Sequence, residues 1–465
     1  MADGQDPLQH IAARVLAPET HFDSLLVRQG GVTLLDAYRF PYGPDLLHDQ
    51  RSVCKSVVAL LVGIAIERGY LESVDQPVLP FFADYNIVHL DDQKQAITIR
   101  DLLTMRSGLD LTDAMTGEMR GSDNWVGYVL DRPMRADPGT RFEYATGNVH
   151  LLAAIIGRAS GWASGPSTRA FAERYLFGPL GITIYRWDED PQGVATGGMG
   201  LYLTPHDMAK LGQLVLDGGR WAGQQIVSSA WVAACASPQV KLEGETDYGY
   251  LWWVHRNEDE AEFYVAHGYA GQHICALPEL DAVVVLTGRL KPDELGVTER
   301  LLADVIRPAL AAARATALPA ADAAPSTVFD APPAPVPPLP EVARRISGRA
   351  IRVEPNVFGW ETLVFTFADG ADEATVTVND HAPARIGLDG VWRLMPDGWF
   401  IHWDAETLPV ALYGRWTRDD SLALAYQEVG VPEGQDLTLT FTGNRVEVVA
   451  VETLSGETER LVGEW

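Results

Sequence analysis

The apolar residues change period several times along the chain. Near the start, Ser24-Leu25-Leu26-Val27-Arg28 and Gly31-Val32-Thr33-Leu34-Leu35 read as two strands that turn at Gly30-Gly31. Val57 to Ile66 is then apolar on every face. This predicts a helix enclosed on all sides, ending near Glu67, Arg68 and Gly69. Ile97-Thr98-Ile99-Arg100 leads into a short helix over Asp101 to Met105, stopped near Ser107-Gly108. His150 to Arg158 predicts a further helix, broken at Gly161. Thr204 reads as an N-cap, with Pro205 at the first helical position and Asp207 in the first turn.

Strand signals return at Tyr250 to Val254, Glu262 to Val265, His273 to Ala276 and Ala282 to Leu286, with a hairpin connection at Pro278 to Asp281. Strands this close together pair antiparallel, because parallel neighbours need long crossovers. The order is strands, helices, strands, so one sheet is expected to draw on both ends of this region. From Ala311 to Pro340 the chain is mostly Ala and Pro, which predicts an extended tether without a core of its own. Beyond it, β-type runs recur at Thr362 to Phe367, Ala374 to Val378, Trp399 to Trp403, Leu422 to Tyr426 and Leu437 to Phe441. These predict a small β-barrel or sandwich. The expected organisation is therefore an α+β domain over residues 1–312, a linker over 313–341 and an all-β domain over 342–465.

Composition narrows the class. A chain of 465 residues with ordinary apolar content suits two or three domains with sizeable cores. Lys and Arg total 36 against 63 Asp and Glu, a net charge of -27. Such an excess argues against nucleic acid or anionic membranes as partners. The longest apolar run is too short to span a bilayer. Met1 to Asp6 carries neither the basic nor the apolar region of a secretory signal, so a cytoplasmic location is the default expectation. Cys54, Cys235 and Cys275 are odd in number and scattered, which implies no disulfide framework. No nucleotide, metal or redox motif is present, and no cofactor is expected: G-x-S-x-G, H-E-x-x-H and C-x-x-C are all missing.

The candidate chemistry starts at Ser52-Val53-Cys54-Lys55, at the mouth of the enclosed helix. A Ser and a Lys three apart share one helix face. A lysine at such an entrance loses solvent, which lowers its pKa, and a lowered lysine can activate a neighbouring hydroxyl. The plainer alternative is an N-cap serine with the lysine snorkelling outward. Acyl transfer also needs a proton carrier for the leaving group and N–H donors for an oxyanion. Tyr144, at a loop-to-helix junction, offers the first, or else simply packs its ring. Ala266-His267-Gly268-Tyr269-Ala270-Gly271 ends a strand with two glycines, where a substrate can approach the backbone, or where the strand merely bulges.

In order and spacing, Ser52-x-x-Lys55, Tyr144 in a Y-x-T-x-N setting and the strand closing at Gly268 resemble the serine β-lactamase and penicillin-binding superfamily. Its class C branch is the most similar, with its carboxylesterases, D-aminopeptidases and nylon-oligomer hydrolases. Ser73 to Val78, Ile97 to Gly108 and Gly197 to Pro205 add to the likeness, which covers about the first two-thirds of the chain. The resemblance implies an antiparallel sheet flanked by helices with a helical subdomain, and an acyl-enzyme mechanism. Ser52 would attack the carbonyl, and Lys55 and Tyr144 would share the proton transfers. The backbone N–H groups of Ser52 and Tyr269 would bind the oxyanion. Thr146, Asn148, His267 and Gly268 would face the substrate.

Two departures bear on that substrate. Thr146 stands where penicillin-recognising members carry Asn, and Ala266 where they carry a Lys that meets a carboxylate. His267 is the adjacent substitute, mostly neutral near pH 7. The expectation is a small, neutral carboxylic ester, with a short amide of the D-aminopeptidase kind and weak β-lactam hydrolysis as alternatives. Trp125, Trp252, Trp253 and Tyr202 are the candidate pocket walls. A non-catalytic sensor of the same fold is the rival from another class. The terminal domain could cover the cleft, mediate self-association or add stability.

Overall fold

The computed structural model describes residues 7–17, 20–161, 168–256, 263–294, 296–315, 324–396 and 408–465. Eight strands build the first sheet: β1 (Phe22–Gln29), β2 (Val32–Arg39), β3 (Thr246–Tyr248), β4 (Trp253–His255), β5 (Phe263–Gly268), β6 (Gln272–Leu277), β7 (Ala282–Gly288) and β8 (Thr327–Phe329). Their order across the sheet is β8-β2-β1-β7-β6-β5-β4-β3. The N-terminal hairpin thus joins the late strands through antiparallel β1–β7 pairing, as the strand spacing predicts. Among the described residues of this sheet only β8, from within the Ala/Pro-rich stretch, pairs in parallel, along Ala37 to Arg39 of β2. That part of the expected tether is an edge strand of the first sheet.

The strand period distributes the core. On β7, Val283 and Val285 face one hydrophobic cluster, while Val284 and Leu286 face another. A strand covered on both faces has no polar alternate, hence its unbroken apolar run. One face is covered by Leu8 to Leu16 and by Leu302 to Leu310. Against the other packs α1 (Val53–Glu67), buried at every position from Val53 to Ala65, with α2 (Thr146–Ala159) and α3 (Pro205–Leu216). The Thr204 side chain caps α3 by accepting from Asp207 N at 3.1 Å, as predicted. The short helix Ile99–Leu103 starts from a Thr98–Asp101 capping box.

Ten further strands follow: β9 (Ala350–Val353), β10 (Thr362–Thr366), β11 (Glu373–Val378), β12 (Ala384–Gly387), β13 (Arg393–Met395), β14 (Val410–Arg418), β15 (Ser421–Glu428), β16 (Gly434–Thr442), β17 (Arg445–Glu452) and β18 (Thr458–Glu464). They run β12-β11-β10-β9-β18-β17-β16-β15-β14-β13, and a β12–β14 bridge at Gly387 and Tyr413 closes the barrel. Alternate residues such as Leu437, Leu439 and Phe441, or Val446, Val448 and Ala450, fill its interior. The strand expected at Trp399 to Trp403 lies outside the described residues, as does Glu262. Among the described residues no helix is long and apolar enough to cross a membrane.

Candidate active site

Ser52 is the residue from which α1 departs, at φ -71° and ψ -7°, and its side chain makes no capping bond. Lys55, one turn on, is 2 % exposed and does not snorkel outward. Its Nζ donates to Ser52 Oγ at 2.8 Å and to the Gly198 carbonyl at 2.9 Å. It also stands over the Tyr144 ring, 5.0 Å from the centroid. Among the described residues no carboxylate lies within 4.0 Å of this nitrogen. A buried lysine without an anionic partner is unusual in a structural core. Its contacts tie it instead to a hydroxyl, a carbonyl and an aromatic ring.

Tyr144 precedes α2 and is held by aromatic packing. Its ring stacks on Trp253 at 5.8 Å and meets Tyr248 edge-on at 6.3 Å. Its hydroxyl bonds to no other group among the described residues. Gly198 completes this wall. A Cβ there would stand 2.7 Å from Thr146 Cγ2 and 3.1 Å from Lys55 Nζ, so only glycine leaves the lysine its place. At the other edge, the Gly268 Cα lies so close to the loop before Ser52 that an added Cβ would come within 2.4 Å of the Gln50 carbonyl. That contact brings the β5–β6 turn, with exposed Tyr269 in it, against the segment carrying Ser52.

The structure thus places Lys55 against Ser52, Gly198 and Tyr144, Thr146 beside Gly198, and Gly268 against Gln50, two residues before Ser52. Thr146 serves the scaffold: its hydroxyl donates to Asp113 Oδ1 at 2.7 Å, and its N–H reaches the same oxygen at 3.2 Å. Asp113, at the start of the short 3-10 turn Asp113–Met115, caps α2 from 33 residues upstream. Asn148 is 2 % exposed and its amide lies 3.7 Å from Met105 Sδ, so it faces packed core rather than an open surface. His267 is half-buried between Trp253 and His273. Burial pushes its imidazole down to about 4, so it is neutral at physiological pH and supplies no cation. Trp252 is 1 % exposed and belongs to the core, which removes it from the expected pocket walls.

A cleft of about 1390 Å³ lies between this domain and the barrel. Trp125 and Tyr202 line one wall, Tyr426, Glu428 and Glu433 another, and Arg51, Met199 and Gly200 edge it. It therefore borders the neighbours of Ser52 and Gly198 rather than the Ser52–Lys55 contact itself. Asp113 and the Gly198 carbonyl are the site groups that the sequence does not announce. The glycine cluster Gly197-Gly198-Met199-Gly200 was the visible trace of the second. No group of three or more His, Cys, Asp or Glu among the described residues is arranged to hold a metal ion.

The fold has counterparts among known proteins. The family model described as Beta-lactamase matches residues 17–306. The 6-aminohexanoate-dimer hydrolase of Paenarthrobacter ureafaciens is 28 % identical over 318 residues, covering 62 % of this chain and 79 % of that protein. Among solved structures, EstCE1, a hydrolase with promiscuous acyltransferase activity, superposes with a TM-score of 0.53 at 16 % identity, over 65 % of this chain and 97 % of its own. The octameric penicillin-binding protein homologue from Pyrococcus abyssi superposes over 98 % of this chain and 99 % of its own, with a TM-score of 0.50 at 17 % identity, so its fold includes the terminal barrel. The matched family covers well over half of the sequence, and the chain belongs to the β-lactamase family, a hydrolase of the serine β-lactamase and penicillin-binding protein superfamily.

Proposed function

We propose that this protein hydrolyses small, uncharged carboxylic esters through an acyl-enzyme on Ser52. The observation that carries the reading is the 2.8 Å contact between Ser52 Oγ and a buried Lys55 that has no carboxylate partner among the described residues. In this mechanism Lys55 reacts as the free amine: Ser52 Oγ attacks the substrate carbonyl while its proton passes to the lone pair of Lys55 Nζ. The negative charge that develops on the carbonyl oxygen is met by the backbone N–H groups of Ser52 and Tyr269. The positive end of α1 points at the same place. Collapse of the tetrahedral intermediate expels the alkoxide, which Tyr144 protonates, drawing its proton in turn from Lys55. Water then attacks the acyl carbon with the same groups in reverse, and Ser52 is released.

Two features favour a neutral substrate. Position 266 on β5 is a fully buried alanine, and His267 beside it is uncharged. A carboxylate-bearing β-lactam would find no charge-assisted donor from that strand. A second reading, hydrolysis of a short amide, is favoured by the relative named for the dimer of an amino acid, which is joined by an amide bond. The residues and their roles are the same.

The test is covalent capture followed by a substrate panel. A fluorophosphonate should label Ser52, identified by mass spectrometry, and Ser52→Ala should abolish both labelling and the acylation burst with a p-nitrophenyl ester. Labelling at another hydroxyl would overturn the assignment. Turnover of that ester, of 6-aminohexanoate linear dimer and of nitrocefin, compared side by side, decides between the readings. Nitrocefin as the preferred substrate would refute the argument from Ala266 and His267.

A further inference from the structure

The residue before Ser52 has an unusual backbone. Arg51 sits at φ +48°, in the left-handed region that side chains other than Gly, Asn and Asp seldom adopt. Such a conformation persists only where its surroundings hold it. Several contacts do so here. The Arg51 N–H donates to Asp49 Oδ1 at 2.9 Å, and its Nε lies 2.8 Å from Asp49 Oδ2. Its Nη2 is paired with Glu433, which belongs to the terminal barrel. The Asp49 N–H in turn donates to the barrel carbonyl of Gly430 at 2.6 Å.

The barrel loop that supplies these groups is itself fixed. Gln427 is 1 % exposed, and its amide donates to the carbonyls of Val431 and Glu433, each at 2.9 Å. Its Oε1 accepts from Arg289 of the first domain at 3.0 Å. Below the loop, Tyr42, Ala411 and Val429 form a small apolar cluster across the domain junction. A rigid path therefore runs from the barrel wall to the residue that launches α1.

We propose that the C-terminal barrel positions the nucleophile: Glu433, acting through Arg51, holds the backbone turn from which Ser52 enters α1, and so sets how fast Ser52 can be acylated. Glu433 touches no reacting atom in this account and is a positioning residue. The inference rests on the reading of Ser52 as nucleophile. Glu433 is 42 % exposed, and exposed ion pairs contribute little to stability, so the effect should appear in reactivity and not in folding.

The experiment uses the full-length chain and the second-order rate of fluorophosphonate labelling at Ser52. Glu433→Gln is expected to slow labelling by about tenfold or more, since small misplacements of reacting groups carry large rate costs. The thermal midpoint should stay near that of the parent, and Glu433→Asp should recover part of the rate. Arg51→Gly, which removes both the strained residue and the partner of Glu433, provides the control. In that background Glu433→Gln should change labelling by less than about twofold, as expected when two residues act as one unit. Equal labelling of the parent and Glu433→Gln would overturn the proposal while leaving Ser52 as nucleophile. So would a loss of equal size in both backgrounds, or one that merely follows a fall in thermal midpoint. Absence of Ser52 labelling in the parent would overturn the site reading, and this inference with it.

Discussion

Adding a methyl group at Gly198 should displace Lys55. The Cβ of Gly198→Ala would stand 2.7 Å from Thr146 Cγ2, 3.1 Å from Lys55 Nζ and 3.2 Å from Lys55 Cε. The shortest of these falls about 0.7 Å short of the 3.4 Å at which such contacts become ordinary. Thr146 cannot easily give way, because Asp113 holds both its hydroxyl and its N–H. The lysine tip is the softer partner, and it carries the 2.8 Å contact to Ser52. Misplacement on the 1 Å scale can cost about a hundredfold in rate, so acylation of Ser52 should slow by about 10- to 100-fold. Overpacking should cost about 1–3 kcal/mol of stability as well. Gly197→Ala supplies the contrast. Its nearest contacts would be with the α2 backbone, at 2.2 Å from Val149 O and 2.7 Å from His150 N, which cannot rotate aside. That variant should lose more stability, with reactivity falling in step with the folded fraction. Urea unfolding and fluorophosphonate labelling of both proteins measure the two effects. Labelling of folded Gly198→Ala at the parental rate would refute the claim that this glycine exists to seat the lysine.

Two further outcomes follow from the scaffold. His48 is 3 % exposed, and burial pushes its imidazole from 6.5 down to about 4. The unfolded chain therefore binds the extra proton between those values, so stability is complete above pH 6.5 and falls as the pH drops towards 4, by about 3 kcal/mol for this group. His48→Gln should flatten the dependence of urea stability on pH in that window by about one proton, and an unchanged slope would rule His48 out as its source. Asp113→Ala removes the borrowed cap of α2 and should cost about 1 kcal/mol in urea unfolding. Undiminished stability would mean that solvent caps the helix equally well.

The parts of the fold legible in the sequence are those in which side chains alone determine the element. Val53 to Ala65 is buried on all sides, and its composition allows nothing else. The barrel strands show alternation because one face meets the interior and the other meets water. The misreadings have backbone causes. Tyr250 to Val254 reads as one strand, yet Leu251 lies at φ +59°, and regular pairing begins only at Trp253. Thr246–Tyr248 was not expected as a strand, since an edge pairing of three residues leaves almost no period. Val328 joins the first sheet through main-chain bonds to β2, which an Ala/Pro-rich stretch does not advertise.

The same division holds at the site. Ser52 and Lys55 are visible because one helical turn brings them together, and the helix is written in the residues that follow. Tyr144 becomes visible only by resemblance, since nothing local fixes how its ring meets a lysine 89 positions earlier. What holds the lysine is a carbonyl, that of Gly198, and every residue has one, so its role leaves no mark except the missing side chain. Arg51 is the extreme case. An arginine has no preference for positive φ, and the residue adopts it because the segment before it is pinned on two sides. His48–Asp49 pairs with Tyr202 and Leu203, and the Gln50 N–H donates to the Leu201 carbonyl. The barrel fixes the Asp49 N–H and the guanidinium. With both anchored, the chain must reverse within one residue to enter α1. The strain at Arg51 is thus set by two domains together, and a sequence read one segment at a time could not contain it.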